Sequence, residues 1–261
     1  MREGWKVQSS AQVKATGDKV SQPGFPTQAW YSTSAPKTVF AVLVENGVYK
    51  NPYYGMNLRA FPGVEYKIGT QFANQDMPAN SPYAVPWWYR KEFDLPASDA
   101  GKQIWIEFRG INYRADIWIN GKKVAGSEVV VGAFRRYDFN VTQFVRPGEK
   151  NAVAVAVSAP TANELGITWV DWNPSPPDKD MGLWQEVVIS TSGPVALRHP
   201  VVEDNSPYGN NQTSIRLGSH RGPSDLRSCS RGAGSTRRDT AATASHRDLR
   251  SPTAYLLRRC Q

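Results

Sequence analysis

Between Trp87 and Ile189 apolar and polar residues alternate in short runs at the two-residue period of a half-buried strand. Gln103-Ile104-Trp105-Ile106-Glu107-Phe108 sets Ile104, Ile106 and Phe108 on one face. Similar runs cover 87–93, 115–119, 122–124, 137–141, 152–157 and 184–189, with Pro, Gly and Asn between them. Asn120-Gly121 joins two of these runs. A two-residue type I′ turn needs positive φ at both central positions, and Asn-Gly supplies it, so 115–124 predicts a hairpin. Upstream, 34–49 has a helical period: Val39, Val42 and Leu43 share a face, and Gly47 stands where a left-handed C-cap belongs. An irregular aromatic segment, Asn51–Leu58, and a Pro- and Asn-rich stretch to Pro86 follow. Many short strands with one short helix predict an all-β antiparallel sandwich.

The pattern stops near residue 200. All nine Trp and all nine Phe precede it, and residues 216–261 hold only six large apolar side chains in 46 positions. Such a segment buries too little surface to offset its ordering entropy, so 203–261 is expected to be a disordered Arg/Ser-rich tail behind a folded domain at 1–202. The switch from Lys and Val to Arg and Ser usage is what out-of-frame translation would produce; reading the other frames of the coding DNA tests it. Of the net charge of +8, +5 lies in the tail, so the basic balance says little about what the body binds. Both cysteines, Cys229 and Cys260, are in the tail, so the body reveals no redox compartment. Met1-Arg2-Glu3-Gly4-Trp5 opens no apolar run of signal-peptide length, and no run of about 18 apolar residues occurs, which predicts a soluble chain without an export signal. The Asn140 and Asn211 glycosylation sequons are read as chance.

The body also lacks much chemistry. His199, His220 and His246 lie at or beyond its end, leaving no Cys/His zinc set and no histidine base for a Ser-His-Asp arrangement. No GxxxxGK loop occurs, and Arg231–Ser235 follows no strand, so neither metal nor cofactor is expected. Asp178-Lys179-Asp180 has too few acids for a calcium loop and reads as a solvated turn. The tail arginines are not interleaved with aromatics, which argues against nucleic acid as a partner. What remains is Trp169-Val170-Asp171-Trp172-Asn173-Pro174, followed eleven residues after Asp171 by Gly182-Leu183-Trp184. Pro174, Pro176 and Pro177 force a loop. Two tryptophans beside a carboxylate suit a sugar rim, where rings stack on pyranose C–H faces and the acid accepts hydroxyl hydrogen bonds. A loop whose tryptophans plug one end of the sandwich is the competing reading.

Three stretches carry a resemblance: Phe108–Lys122, Gly132-Ala133-Phe134 leading to Asp138–Thr142, and Pro147–Asn151 before the Ala/Val strand. Together they resemble the sugar-binding domain of family 2 glycoside hydrolases. Pro52-Tyr53-Tyr54-Gly55-Met56-Asn57-Leu58 and the Trp169–Pro174 run look like the β-mannosidase and exo-β-D-glucosaminidase branch, the run being spelled more as in the glucosaminidases. The resemblance implies a galactose-binding-like jelly roll that lends a loop to the pocket of a TIM barrel, with Asp171 and Trp172 at the terminal sugar and Trp169 and Asn173 beside them. Asp180 is the alternative acid. It also implies retaining hydrolysis by two carboxyl groups about 5–5.5 Å apart, both from a barrel of roughly 250 residues for which this sequence has no room. On this reading Glu107, Glu128 and Glu186 are outer-face residues, and the chain is a truncated part of a usually extracellular enzyme, inactive alone. Its partners would be a β-linked glucosamine or mannose chain end and the missing barrel, with no nucleic acid or membrane. A free-standing carbohydrate-binding module and a protein-interaction sandwich are the alternatives.

Overall fold

The computed structural model describes residues 1–62, 76–168, 174–204 and 213–221, with side chains described as far as residue 196. The chain divides into two compact units, Met1–Ser192 and Gly193–Gln261.

The first unit holds β1 (Trp5–Ser9), β2 (Tyr31–Thr33), β3 (Lys37–Thr38), β4 (Trp87–Asp94), β5 (Gln103–Phe108), β6 (Arg114–Ile119), β7 (Lys122–Ala125), β8 (Tyr137–Asn140), β9 (Lys150–Ser158), β10 (Gly182–Leu183) and β11 (Val187–Ser192). Two antiparallel sheets, β2-β1-β4-β9-β6-β7 and β11-β5-β8, bury their inner faces in one core, and β3 pairs with β10. From the large sheet Trp5, Val7, Tyr89, Ile117, Val153, Val155 and Val157 point inward; Ile104, Ile106, Phe108 and Val187 come from the small one. Each buried Val or Ile of this kind contributes about 1.5–3 kcal/mol.

β9 explains why the large sheet is dry on both sides. Its run Ala152-Val153-Ala154-Val155-Ala156-Val157 sends the valines into the sandwich and Ala154 and Ala156 to a second apolar cluster with Trp88, Trp30 and Val20. That outer layer is the segment around α1 (Gly17–Val20), a one-turn helix without a sequence signal. The buried Arg90 guanidinium fastens it, donating to the carbonyls of Val20 (2.8 Å) and Gln22 (2.7 Å) and to Glu92 (2.7 Å).

The hairpin and helix expected from sequence are present. Asn120 and Gly121 have φ of 48° and 83°, the type I′ pattern, between β6 and β7. α2 (Val39–Glu45) is N-capped by Thr38, and at its C-terminus Gly47 (φ 71°) and Val48 donate to the carbonyls of Val44 and Leu43, a Schellman closure. Val39, Phe40, Val42 and Leu43 join the core. The strand expected over 184–189 begins at Val187 instead. Trp184 turns aside, donating its Nε1–H to the Ala133 carbonyl at 2.8 Å and meeting Phe134 edge-on at 5.5 Å.

In the second unit β12 (Val195–Asp204) pairs antiparallel with β13 (Thr213–Arg221). β13 falls within 203–261, to which composition assigns no element; Thr213, Ile215 and Leu217 supply a brief two-residue alternation there. Residues 222–261 lie outside the described residues.

Candidate functional site at the loop end of the sandwich

Strand register decides which loops meet. β6 and β9 pair from Arg114↔Ser158, and Phe108, which ends β5, pairs with Tyr137 and with Val187, which begin β8 and β11. The connections 109–113 and 126–136, and the described parts of the one between β9 and β10, 159–168 and 174–181, therefore share one end of the sandwich. Side chains tie them together: Arg114 binds Glu164 and also donates to the Ser127 carbonyl at 3.3 Å, while Glu164 accepts from the Thr161 amide at 2.8 Å. Arg114 and Glu164 are both partly buried, and a pair still open to solvent on the arginine side stabilises little; its effect is to set loop geometry.

Of the residues expected to bind sugar, Trp169, Asp171, Trp172 and Asn173 lie outside the described residues. In sequence they fall between β9 and β10. Asp180 is described, and the turn carrying it differs from expectation: Asp178-Lys179-Asp180 is not a solvated turn. Asp178 is fully buried; its carboxylate accepts from the first-turn amide of α2 at Phe40 (2.7 Å) and from the Asp180 amide (3.0 Å). Burial pushes its pKa up to about 7 despite these two donors and the adjacent helix N-terminus, so desolvation outweighs them. Burial likewise raises half-buried Asp180 to about 6, and no described residue donates to its carboxylate. It lowers Lys179 from the ordinary ammonium value, opposed by the charge of Asp76.

The turn is clamped from the opposite side by Asn112, which sequence reasoning missed. Its Nδ2 donates to two successive carbonyls, Lys179 (2.8 Å) and Asp180 (2.9 Å), and its backbone exchanges two hydrogen bonds with Gly182. No local signal marks Asn112, because its partners lie 67 and 68 residues away.

The acids set aside from sequence are where expected. Glu186 joins Arg2 and Arg109 (2.7 and 2.8 Å), Glu107 joins Arg109 and Arg136 (3.3 and 3.8 Å), and Glu128 is exposed, so none of the three faces the sandwich interior. Among the described residues no group of three His, Cys, Asp or Glu is placed to hold a metal, and no helix is long and apolar enough to cross a membrane.

Two antiparallel sheets, two short helices of which α2 is side-chain-capped, and connections gathered at one end define a galactose-binding-like β-sandwich. The family model described as "Glycosyl hydrolase 2 galactose-binding domain-like" matches residues 5–168. The chain belongs to glycoside hydrolase family 2. It is 37% identical to the exo-β-D-glucosaminidase of Amycolatopsis orientalis over 216 residues, covering 82% of this chain and 19% of that protein. It is 27% identical to the mannosylglycoprotein endo-β-mannosidase of Lilium longiflorum, over 74% of this chain and 21% of the relative. The crystal structure of the Amycolatopsis orientalis exo-chitosanase superposes with a TM-score of 0.67 at 34% identity, over 83% of this chain and 23% of that one. The chain thus spans about a fifth of the length of the curated relatives it matches.

Proposed function

We propose that this chain is the N-terminal sugar-gripping part of a retaining exo-β-glycosidase of the exo-β-D-glucosaminidase type, acting on β-linked glucosamine or mannose at a chain end. The observation that carries the reading is the likeness to an exo-β-D-glucosaminidase across 82% of the chain. Asp171 and Trp172, flanked by Trp169 and Asn173, form the rim; Asp180 stands on the same connection. Trp faces stack on the sugar, and a carboxylate pairs with a hydroxyl or with the C2 ammonium of glucosamine, the stronger contact because it is charge-assisted. Bond cleavage needs two further carboxyl groups at about 5–5.5 Å separation, which this reading assigns to a barrel outside the sequence. By composition the module is 1–202 and its tail 203–261.

Three measurements test this. The purified chain should leave a chromogenic β-D-glucosaminide uncleaved and bind glucosamine oligomers more weakly than millimolar; cleavage by the chain alone refutes the reading. Millimolar or tighter binding that vanishes in Asp171→Ala favours a free-standing module instead. Exchanged for the matching region of the Amycolatopsis enzyme, the chain should support hydrolysis, and Asp171→Ala there should lower kcat/KM about 10- to 100-fold, the range of a lost charged hydrogen bond.

A further inference from the structure

Asn112 is tied to the Asp180 turn at four points. Its backbone N–H donates to the Gly182 carbonyl (2.9 Å), its carbonyl accepts from the Gly182 amide (2.7 Å), and both carboxamide protons go to the carbonyls of Lys179 and Asp180. These last two residues stand at φ of 51° and 55°, a region that non-glycine residues occupy when the surroundings hold them there. Asp178 holds the other side by accepting from the Asp180 amide. Asp180 is thus gripped at its N–H and at its carbonyl. Its half-buried carboxylate, by contrast, accepts nothing from any described residue. A desolvated carboxylate without a donor is unfavourable unless a ligand completes it. The Asn112 Oδ1 is likewise buried without a donor, so its carboxamide is committed by its two N–H groups alone. The turn's hydrogen bonds place Asp180 and leave it unneutralised.

We propose that Asn112 is the positioning residue that presents the Asp180 carboxylate to a donor group of the terminal sugar, a hydroxyl or an ammonium. This rests on the sugar-gripping reading above and deepens it by naming a second acid and the residue that sets it. Asn112 acts through Asp180 and touches no sugar, being wholly buried. The charged and titratable groups around the turn are Asp178, Lys179, Asp76, whose charge acts on Lys179, and Tyr83 and Tyr89, on which Asp178 acts; the Tyr89 hydroxyl donates to the Lys37 carbonyl at 2.9 Å.

The test is carboxyl-detected NMR on the full chain, with glucosamine and mannose as separate probes at high millimolar concentration. In the native chain, glucosamine should lower the Asp180 titration midpoint from about 6 if an ammonium is the donor; an effect of mannose of equal size would identify a hydroxyl. In Asn112→Ala the midpoint should fall toward about 4, the ordinary carboxylate value, and the sugar response of Asp180 should disappear while Asp178 keeps its own midpoint. An Asn112→Ala chain that is merely less stable, with Asp180 titrating and responding as before, overturns the inference. Should that variant not fold, carboxamide exchange in the native chain decides: both Asn112 protons slow supports the clamp, and free exchange removes it. Sugar-induced shifts at the tryptophans but not at Asp180 would sink this inference and leave the proposed function standing. Shifts nowhere would overturn this inference and leave the proposed function, which expects the isolated chain to bind weakly, to be decided by the exchange into the Amycolatopsis enzyme.

Discussion

Replacing Asp178 by Asn separates the cost of a buried charge from the value of the bonds it accepts. Asp178 is fully buried and titrates near 7 in the fold against 3.8 for the free group. A carboxyl whose folded pKa is raised favours the folded state fully below its unfolded pKa, and that advantage is lost as the pH rises through the folded value. At about 1.4 kcal/mol per pH unit, the interval from 3.8 to about 7 bounds the loss at about 4 kcal/mol. Asn carries no charge, but its Oδ1 alone replaces the two oxygens that now accept from Phe40 and Asp180. Leaving one of those buried amides without an acceptor costs about 1–3 kcal/mol. Asp178→Asn should therefore be less stable than the native chain by about 1–3 kcal/mol at about pH 3 and more stable by a similar margin at about pH 8. Urea unfolding at both pH values measures the two differences. A variant destabilised equally at both would refute the claim that burial outweighs the two donors.

Other expectations rest on particular contacts. A Cβ at Gly17 would fall 2.6 Å from Trp118 Cζ2, against the indole ring, so Gly17→Ala should cost about 1–3 kcal/mol in urea unfolding; an unchanged midpoint would show the outer layer is loose. Asn120 donates to the Phe144 carbonyl and Asn151 Oδ1 and accepts from the Ala152 amide, so Asn120→Ala should lose about 2–4 kcal/mol by thermal or urea unfolding. A loss under about 1 kcal/mol would mean water replaces the network. Phe134 and Leu165 stand 71% and 84% exposed at the loop end. The isolated chain should bind an apolar dye and associate on concentration, and joint replacement of both by Ser should reduce each signal; a dye-silent monomer contradicts this.

The parts legible in the sequence are those whose cause is local. Asn120-Gly121 announces its turn because few dipeptides accept two positive φ angles, and α2 shows through the Val39, Val42, Leu43 stripe and Gly47. β1 and β2 were not legible: Lys6 and Ser32 interrupt short runs whose burial comes from β4 far along the chain. Asp178 misled for the same reason. Behind two prolines and beside a lysine it reads as solvated, yet the amide it caps belongs to a helix 138 residues earlier. The run 169–173 stood out by composition alone and lies outside the described residues, and Asp180 came with it only as an alternative acid.

The alternation along β9 has a consequence for how such a domain is able to change. Deleting or inserting a single residue there would exchange the two faces, driving valine side chains against Trp88 and leaving alanine-sized voids between the sheets. Drift in length is thereby confined to the connections, which is where a family that keeps one scaffold can vary which ligand it holds.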